Sequence, residues 1–410
     1  MPARMGLIIV TAMMSLVLLG GSCAPAPGFD KQLKSVVRPY RFSIAGWEFR
    51  AIPAEVGRWL FRGSQKANDE VNLVSEYFAT VGQIKSLKTE IEAVKKGDKA
   101  GDLAALQTKL EELQEQRAAN DETVEGIIAR QIKDTLVEQG IYNPVVVWKV
   151  SFPPLVFRLE PPPNLLVVSP RERIESMREI PLQSAISRDE MEAIEAEVDK
   201  LNVSSLVVGL GGFATYPSVV SNESDLQFTL NTVAEEWLHQ YLAFKPLGFR
   251  YLLDLSGISR DYEIATMNET LAGMVGKEIG AIVYEKYYAQ PENQPAPAAQ
   301  PGFDFNRAMR EIRRAVDQYL AQGEIKTAEE FMEQKRQYLA GKGYYIRKLN
   351  QAYFAFHGTY ADMPTSISPI GVEMKELRQQ SVSLKEFLET VSEMTRRQEL
   401  KEALGGESSQ

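Results

Sequence analysis

Cysteine is nearly absent from this chain: Cys23 is the only one, so no intramolecular disulfide can form. Histidine is almost as scarce, with His239 and His357 the only two. That excludes a ferritin-like di-metal bundle, which needs two Glu-x-x-His pairs. Glu236 and His239 make one pair, but the residue three before His357 is Phe354. Positive charge is in deficit as well. The net charge is −9 and the sequence pI about 5.2, with no basic patch large enough to offset it, so nucleic acid is excluded as a partner. The N-terminal apolar run, Leu7 to Leu19, is too short to span a bilayer comfortably. What remains is ordinary globular composition, 44% hydrophobic and 25% charged, which excludes wholesale disorder and leaves room for two or three domains.

The same N-terminal run says where the chain goes. Arg4 precedes it, and Gly20, Gly21 and Ser22 lead from it to Cys23, which is the layout of a secretory signal. The junction resembles a bacterial lipobox, whose cysteine becomes the lipidated first residue of the mature protein; here Gly20 stands where leucine is usual. The resemblance implies an exported lipoprotein held on the extracytoplasmic face of a membrane through Cys23, the alternative being an uncleaved N-terminal anchor.

After residues 1–23, residues 24–63 read as a Pro-rich, basic tether through residue 40 and then an apolar segment, Phe42 to Phe61, with Trp47 and Trp59 packing on the body. In residues 64–140, Ile84, Leu87, Ile91 and Val94 repeat at three and four, and Leu103, Leu106, Leu110 and Leu113 repeat that spacing after a polar break. Each arm is an apolar seam on a helix, so the segment is expected to fold as an antiparallel hairpin, either packing on itself or projecting to dock a protein partner. Residues 141–290 begin with short apolar runs, Val145–Trp148, Leu155–Phe157 and Leu165–Val168, punctuated by prolines as antiparallel strands are. Ser187 and Glu190 have capping-box spacing and open a helix to Leu201. A further strand, Leu206 to Ala214, carries Gly209, Gly211 and Gly212, with no Lys-Ser/Thr to make a phosphate loop. Residues 291–302 are a Pro/Ala-rich loop. In 303–410, helices are expected over 303–322, 327–340, 344–356 and 383–404, with a frayed tail from Gly405.

The chemistry lies on one helix. Leu226, Leu230, Val233, Trp237 and Tyr241 form an apolar stripe, and Glu235, Glu236 and His239 share another side, one turn apart. Surrounding aromatics make that helix largely buried, where three ionisable groups need a reason. A second helix follows with Asn268-Glu269-Thr270-Leu271-Ala272. Here the chain resembles the gluzincin-type zinc metallopeptidases of the zincin superfamily: Glu235-Glu236-Trp237-Leu238-His239 is similar to their His-Glu-x-x-His helix, and Asn268 to Ala272 to their Asn-Glu-x-x-Ala helix. The resemblance implies that His239 and Glu269 are metal ligands and Glu236 the general base. Glu235 stands where the first histidine should. As a ligand it makes the site harder and more anionic, open to manganese or iron as well as zinc. The longer spacing requires an inserted loop, Lys245 to Ile264. His357 and Tyr360, beside a glycine bend, are candidates to stabilise an oxyanion, and Gly209 to Tyr216 resembles the edge strand on which such enzymes lay peptide substrate.

The expected architecture is α+β and predominantly helical: a small antiparallel sheet before the motif helix, an N-terminal helical hairpin, and C-terminal helices over the site. The expected function is hydrolysis of peptide bonds in a peptide or protein substrate by metal-activated water. The alternative is a non-catalytic envelope protein that keeps the scaffold and binds a partner through its groove or hairpin.

Overall fold

The computed structural model describes residues 28–44, 46–47, 67–142, 152–289 and 303–405. The signal-like segment, Trp59, the Val145–Trp148 run, the 291–302 loop and tail residues 406–410 lie outside them. Among the described residues the protein is α+β and predominantly helical, with two small three-stranded sheets.

The expected tether is in part a helix. α1 (Phe29–Val37) buries Leu33 and Val37, because these two, four apart, face one side of a helix and meet the sheet core. The hairpin forms as expected from α2 (Ala67–Lys96) and α3 (Leu103–Ala118). Its turn relies on Gly97 at φ 80, a left-handed conformation open to glycine without steric penalty. Asp102 then caps α3 by accepting the Ala104 and Ala105 amides at 3.0 and 3.1 Å. Ile84, Leu87 and Ile91 are buried, whereas no α3 residue is. Only the distal half of the arm projects. Val74, Tyr77 and Val81 near its base, and Val124, Ile128, Ile132 and Leu136 of α4 (Asp121–Glu138), belong to the main core.

β1 (Phe157–Leu159) precedes β2 (Asn164–Pro170), which lies between β3 (Arg178–Leu182) and β4 (Val203–Gly209), antiparallel to both. Strand alternation sends Leu166, Val168 and Leu182 to a core shared with α1 and α5 (Arg188–Asp199). It sends Leu165, Glu179 and Pro181 to the opposite face, with Val167 opposite Glu179 and Leu165 opposite Pro181. The capping box at Ser187 and Glu190 is present. Two expectations need correction. The run Leu206 to Ala214 is not one strand: it breaks after Gly209, and β5 (Gly212–Phe213) joins a different sheet. That sheet is not wholly antiparallel, since β6 (Ser218–Val220) pairs parallel with β1 and antiparallel with β5. β5 is its edge.

α6 (Leu226–Leu242) and α8 (Tyr262–Tyr287) form the centre of the main core. The connection between them is not a plain inserted loop but a helix, α7 (Pro246–Leu255), started by Pro246 at its first position. The α6–α8 contact is close because α8 presents glycines to it. A Cβ on Gly280 would lie 2.1 Å from Asn231 Oδ1 and 2.8 Å from the Asn231 amide nitrogen, and one on Gly276 would lie 2.9 Å from Glu235 Cβ.

The C-terminal region contains α9 (Phe305–Ala321), α10 (Ile325–Ala340), α11 (Gln351–Gly358), α12 (Pro369–Gln380), α13 (Leu384–Ser392) and α14 (Arg397–Ala403). The helix expected from residue 344 begins only at Gln351. Arg347 and Lys348 are drawn out to Glu195 and Asp199 at 2.6 and 2.8 Å, and Asn350 caps α11 by accepting the Tyr353 amide at 2.9 Å. The expected final helix is two, broken where the Glu399 carboxylate accepts the Thr395 amide at 2.7 Å. α12 carries too short an apolar pattern to have been read from sequence.

Gly280→Ala is expected to push α6 from α8 and destabilise the protein by about 1–3 kcal/mol, the usual range for overpacking. A thermal melt tests this; an unchanged midpoint would show that Asn231 yields freely.

Candidate metal centre

α6 starts where Asp225 accepts the Phe228 amide at 2.8 Å. Its apolar stripe buries Leu230, Val233, Trp237 and Tyr241, and Trp237 donates its indole N–H to the Pro153 carbonyl at 2.8 Å. With that face locked into the core, Glu235 and His239 turn towards α8. α8 in turn starts at Asp261, which accepts the Glu263 and Ile264 amides at 3.1 and 3.2 Å, and brings Asn268 and Glu269 opposite.

One donor atom each of Glu235, His239 and Glu269 lies within 4.8 Å of the other two. His239 Nδ1 lies 3.0 Å from Asn268 Oδ1. An amide oxygen only accepts, so Nδ1 carries the ring proton and Nε2 offers its lone pair. That lone pair faces Glu269 Oε2 at 3.7 Å. Two donors about 2.0–2.2 Å from one tetrahedral ion sit roughly 3.4 Å apart, so the spacing fits a small divalent cation. Glu269 is held in turn: the Tyr251 hydroxyl donates to its Oε1, leaving Oε2 for the ion, and Tyr360 reaches the same carboxylate. The residues present therefore suit a divalent ion, with one imidazole and two carboxylates.

Glu236 sits beside this cluster, 9% exposed. Burial, then the Glu235 and Glu269 carboxylates, hold its carboxyl well above the usual range. Burial likewise pushes Glu235 up to about 7, against the pull of His239. β5 presses on this side of α6: a Cβ on Gly212 would lie 2.3 Å from Glu236 Oε1 and 2.5 Å from Thr232 Cγ2. Gly212 is there because no side chain fits.

The cluster opens into a cavity of about 230 Å³, lined by Glu236, His239, Asn268 and Glu269 together with Gly212, Phe213, Tyr251 and Tyr360. Of the two oxyanion candidates, Tyr360 is in it and His357 is not. His357 lines a separate crevice with Tyr262 and Arg313, its ring 4.3 Å from that of Tyr353. α11 ends at Gly358, and His357 leaves the helix on the side away from the cluster. Burial lowers its pKa to about 4.

Sequence reading missed Tyr251, Glu179, and the pair of Lys277 with the buried Asp362 behind Glu235. None has a spacing signal, since tertiary packing alone brings them together. No protein family, curated protein or solved structure matches this chain.

Two predictions follow from these contacts. Tyr251→Phe removes the hydroxyl that orients Glu269 and is expected to weaken zinc or manganese binding about 10-fold, within the range for such supporting contacts; titration against a competing chelator measures it. His357 has a folded pKa below its unfolded value, so the unfolded chain binds more protons between about pH 6.5 and pH 4 and stability falls as pH drops through that window. His357→Gln should lose less stability there, the difference reaching on the order of 2 kcal/mol at pH 4. Denaturant midpoints at pH 7 and pH 4 report it.

Proposed function

We propose that this protein is an exported, membrane-anchored hydrolase of peptide bonds that uses a divalent metal ion, with Glu235, His239 and Glu269 as ligands and Glu236 as general base. One observation carries the reading: three donor atoms from two helices converge within 4.8 Å, beside a buried carboxylate and inside a cavity. Ionisable groups with shifted pKa gathered in a cleft are a mark of functional sites. The likeness of both helices to the gluzincin motifs supports it, and so does the signal-like N-terminus. Among the described residues no helix is long and apolar enough to cross a membrane; the anchor assigned here rests on the signal-like sequence of residues 1–23.

When bound, the ion supplies the positive charge that makes a water acidic enough to lose a proton near neutral pH. Glu236, ionised once a bound cation offsets the neighbouring carboxylates that raise it, would take that proton. A carboxyl held above its usual range returns it readily to the departing amine nitrogen. Asn268 keeps the His239 ring in one tautomer, and Tyr251 keeps Glu269 in one orientation. The Tyr360 hydroxyl, in the cavity beside Glu269, would serve as a donor for a developing oxyanion. β5, an edge strand beside Glu236, offers unpaired backbone groups to an extended peptide, which selects main chain before side chain.

The test is metal content of the mature chain by elemental mass spectrometry, paired with cleavage of a peptide library. About one zinc or manganese per chain is expected, lost in His239→Ala and kept in Glu236→Gln. Glu236→Gln should slow cleavage by about 10²–10⁴-fold, the usual worth of a general base. A protein that takes up neither metal would be a non-catalytic scaffold instead.

A further inference from the structure

The cavity wall opposite the motif helices comes from the sheet. The strand alternation that points Leu166 and Leu182 into the core points Leu165, Glu179 and Pro181 into the cavity. Glu179 is thus an acid flanked by the apolar Leu165 and Pro181, on a wall that also includes Leu252 and Phe356.

Its surroundings offset that charge only in part, through Ser176 and the more distant Arg260. The Ser176 hydroxyl donates to Glu179 Oε1 at 2.6 Å, and no cation pairs with it among the described residues. The other cavity-wall acids outside the metal cluster and Glu236 are both matched. Glu175 accepts from Arg173 Nε at 2.6 Å. Asp254 accepts the Asp261 amide at 2.7 Å and lies 3.7 Å from Arg260. Arg260, the cation on this wall, is held there, and it also donates to the Met177 carbonyl at 3.3 Å. Burial, with the Glu269 carboxylate, keeps the Glu179 carboxyl above its usual range against the pull of Ser176 and Arg260, as expected of a buried acid with no cation in contact. A second polar group in the cavity also lacks a partner: Asn268 is 1% exposed and its Nδ2 makes no hydrogen bond.

We propose that the cavity is a side-chain subsite for a lysine or arginine of the substrate, with Glu179 as the partner of the cationic head. The inference rests on the hydrolase reading for its substrate but not for its test. Apolar walls suit the methylene stem of such a side chain, and one unmatched carboxylate suits its charge. Leucine or norleucine would fill the walls but leave Glu179 buried and unpaired. An acidic side chain would be repelled by both Glu179 and the acids of the motif helices. Specificity of this kind comes from the penalty on the wrong partner as well as the gain with the right one.

The test reads binding rather than turnover, using the full mature chain carrying Glu236→Gln so that nothing is cleaved. Fluorescently labelled hexapeptides with blocked ends, differing only in a central lysine, norleucine or glutamate, are titrated by anisotropy; a fourth has norleucine and a free α-amine. The lysine peptide is expected to bind about 10–100-fold tighter than the norleucine one, the worth of a charged hydrogen bond in a partly buried site. Adding Glu179→Gln should reduce that preference to about 3-fold or less, with circular dichroism showing that the fold is retained. Equal binding of lysine and norleucine peptides overturns the proposal. So does binding of none, or a lysine preference that survives Glu179→Gln. If the free α-amine alone recovers tight binding, the recognised cation is a chain terminus and the side-chain subsite falls. Cleavage without charge preference would sink this inference and leave the hydrolase intact. Charge-selective binding without cleavage by the wild-type chain would do the reverse.

Discussion

The close contact of α6 and α8 is the constraint on which the rest depends. Gly276 and Gly280 let the backbone of one helix lie against Asn231 and Glu235 of the other, so donor atoms on the two helices come within 4.8 Å. Larger residues at these positions would hold the axes at an ordinary separation of about 8–10 Å or more and pull Glu269 away from His239. Gly212 does the same on the other side of α6, where it brings an edge strand onto Glu236. The site is built as much by side chains that are absent as by those that are present.

That arrangement places Glu235, Glu236, Glu269 and Glu179 in one poorly solvated region. Like charges so placed disfavour one another, which is why burial and mutual repulsion raise Glu235 and Glu236 together. A fold does not keep such a cluster for stability, because well-packed apolar residues would serve that end better. A divalent ion would offset two of these charges, and the hydrogen bonds from Tyr251 to Glu269 and between Asn268 and His239 fix the groups that would hold it. A carboxylate at Glu235 would add to the negative charge that such an ion must balance, and so would favour a harder cation than an imidazole there.

The surrounding parts have separable duties. α7, α11 and the segment through Tyr360 close the cavity around the cluster. The β3–β2–β4 sheet carries one core on its far face and the cavity wall on its near face. The hairpin of α2 and α3 extends from the main core through its distal half, with a half-buried seam on α3 and no contact with the site.

The local elements with a strong period were legible in the sequence: both hairpin arms, the capping box at Ser187, β2, and the helices that carry Glu235, His239 and Glu269. Their patterns are sequence-local, and each residue's face follows from helical or strand geometry alone. The helix start at Gln351, the break before Arg397 and the parallel pairing of β1 with β6 were not legible, because side-chain ties and strand partners from distant segments decide them. The proposed ligands were nominated for the same local reason, as spacing on two helices, while the convergence of those helices within 4.8 Å was not legible. His357 shows the difference. Its residue type and its glycine neighbour suggested a place at the site, but its position on α11 sends it to another crevice, against Tyr353. Tyr251 and Glu179, with nothing in their spacing to mark them, were brought to the cavity by packing. Sequence determined which residues share a face; only the tertiary structure decided which faces meet, because that depends on contacts between segments far apart in the chain.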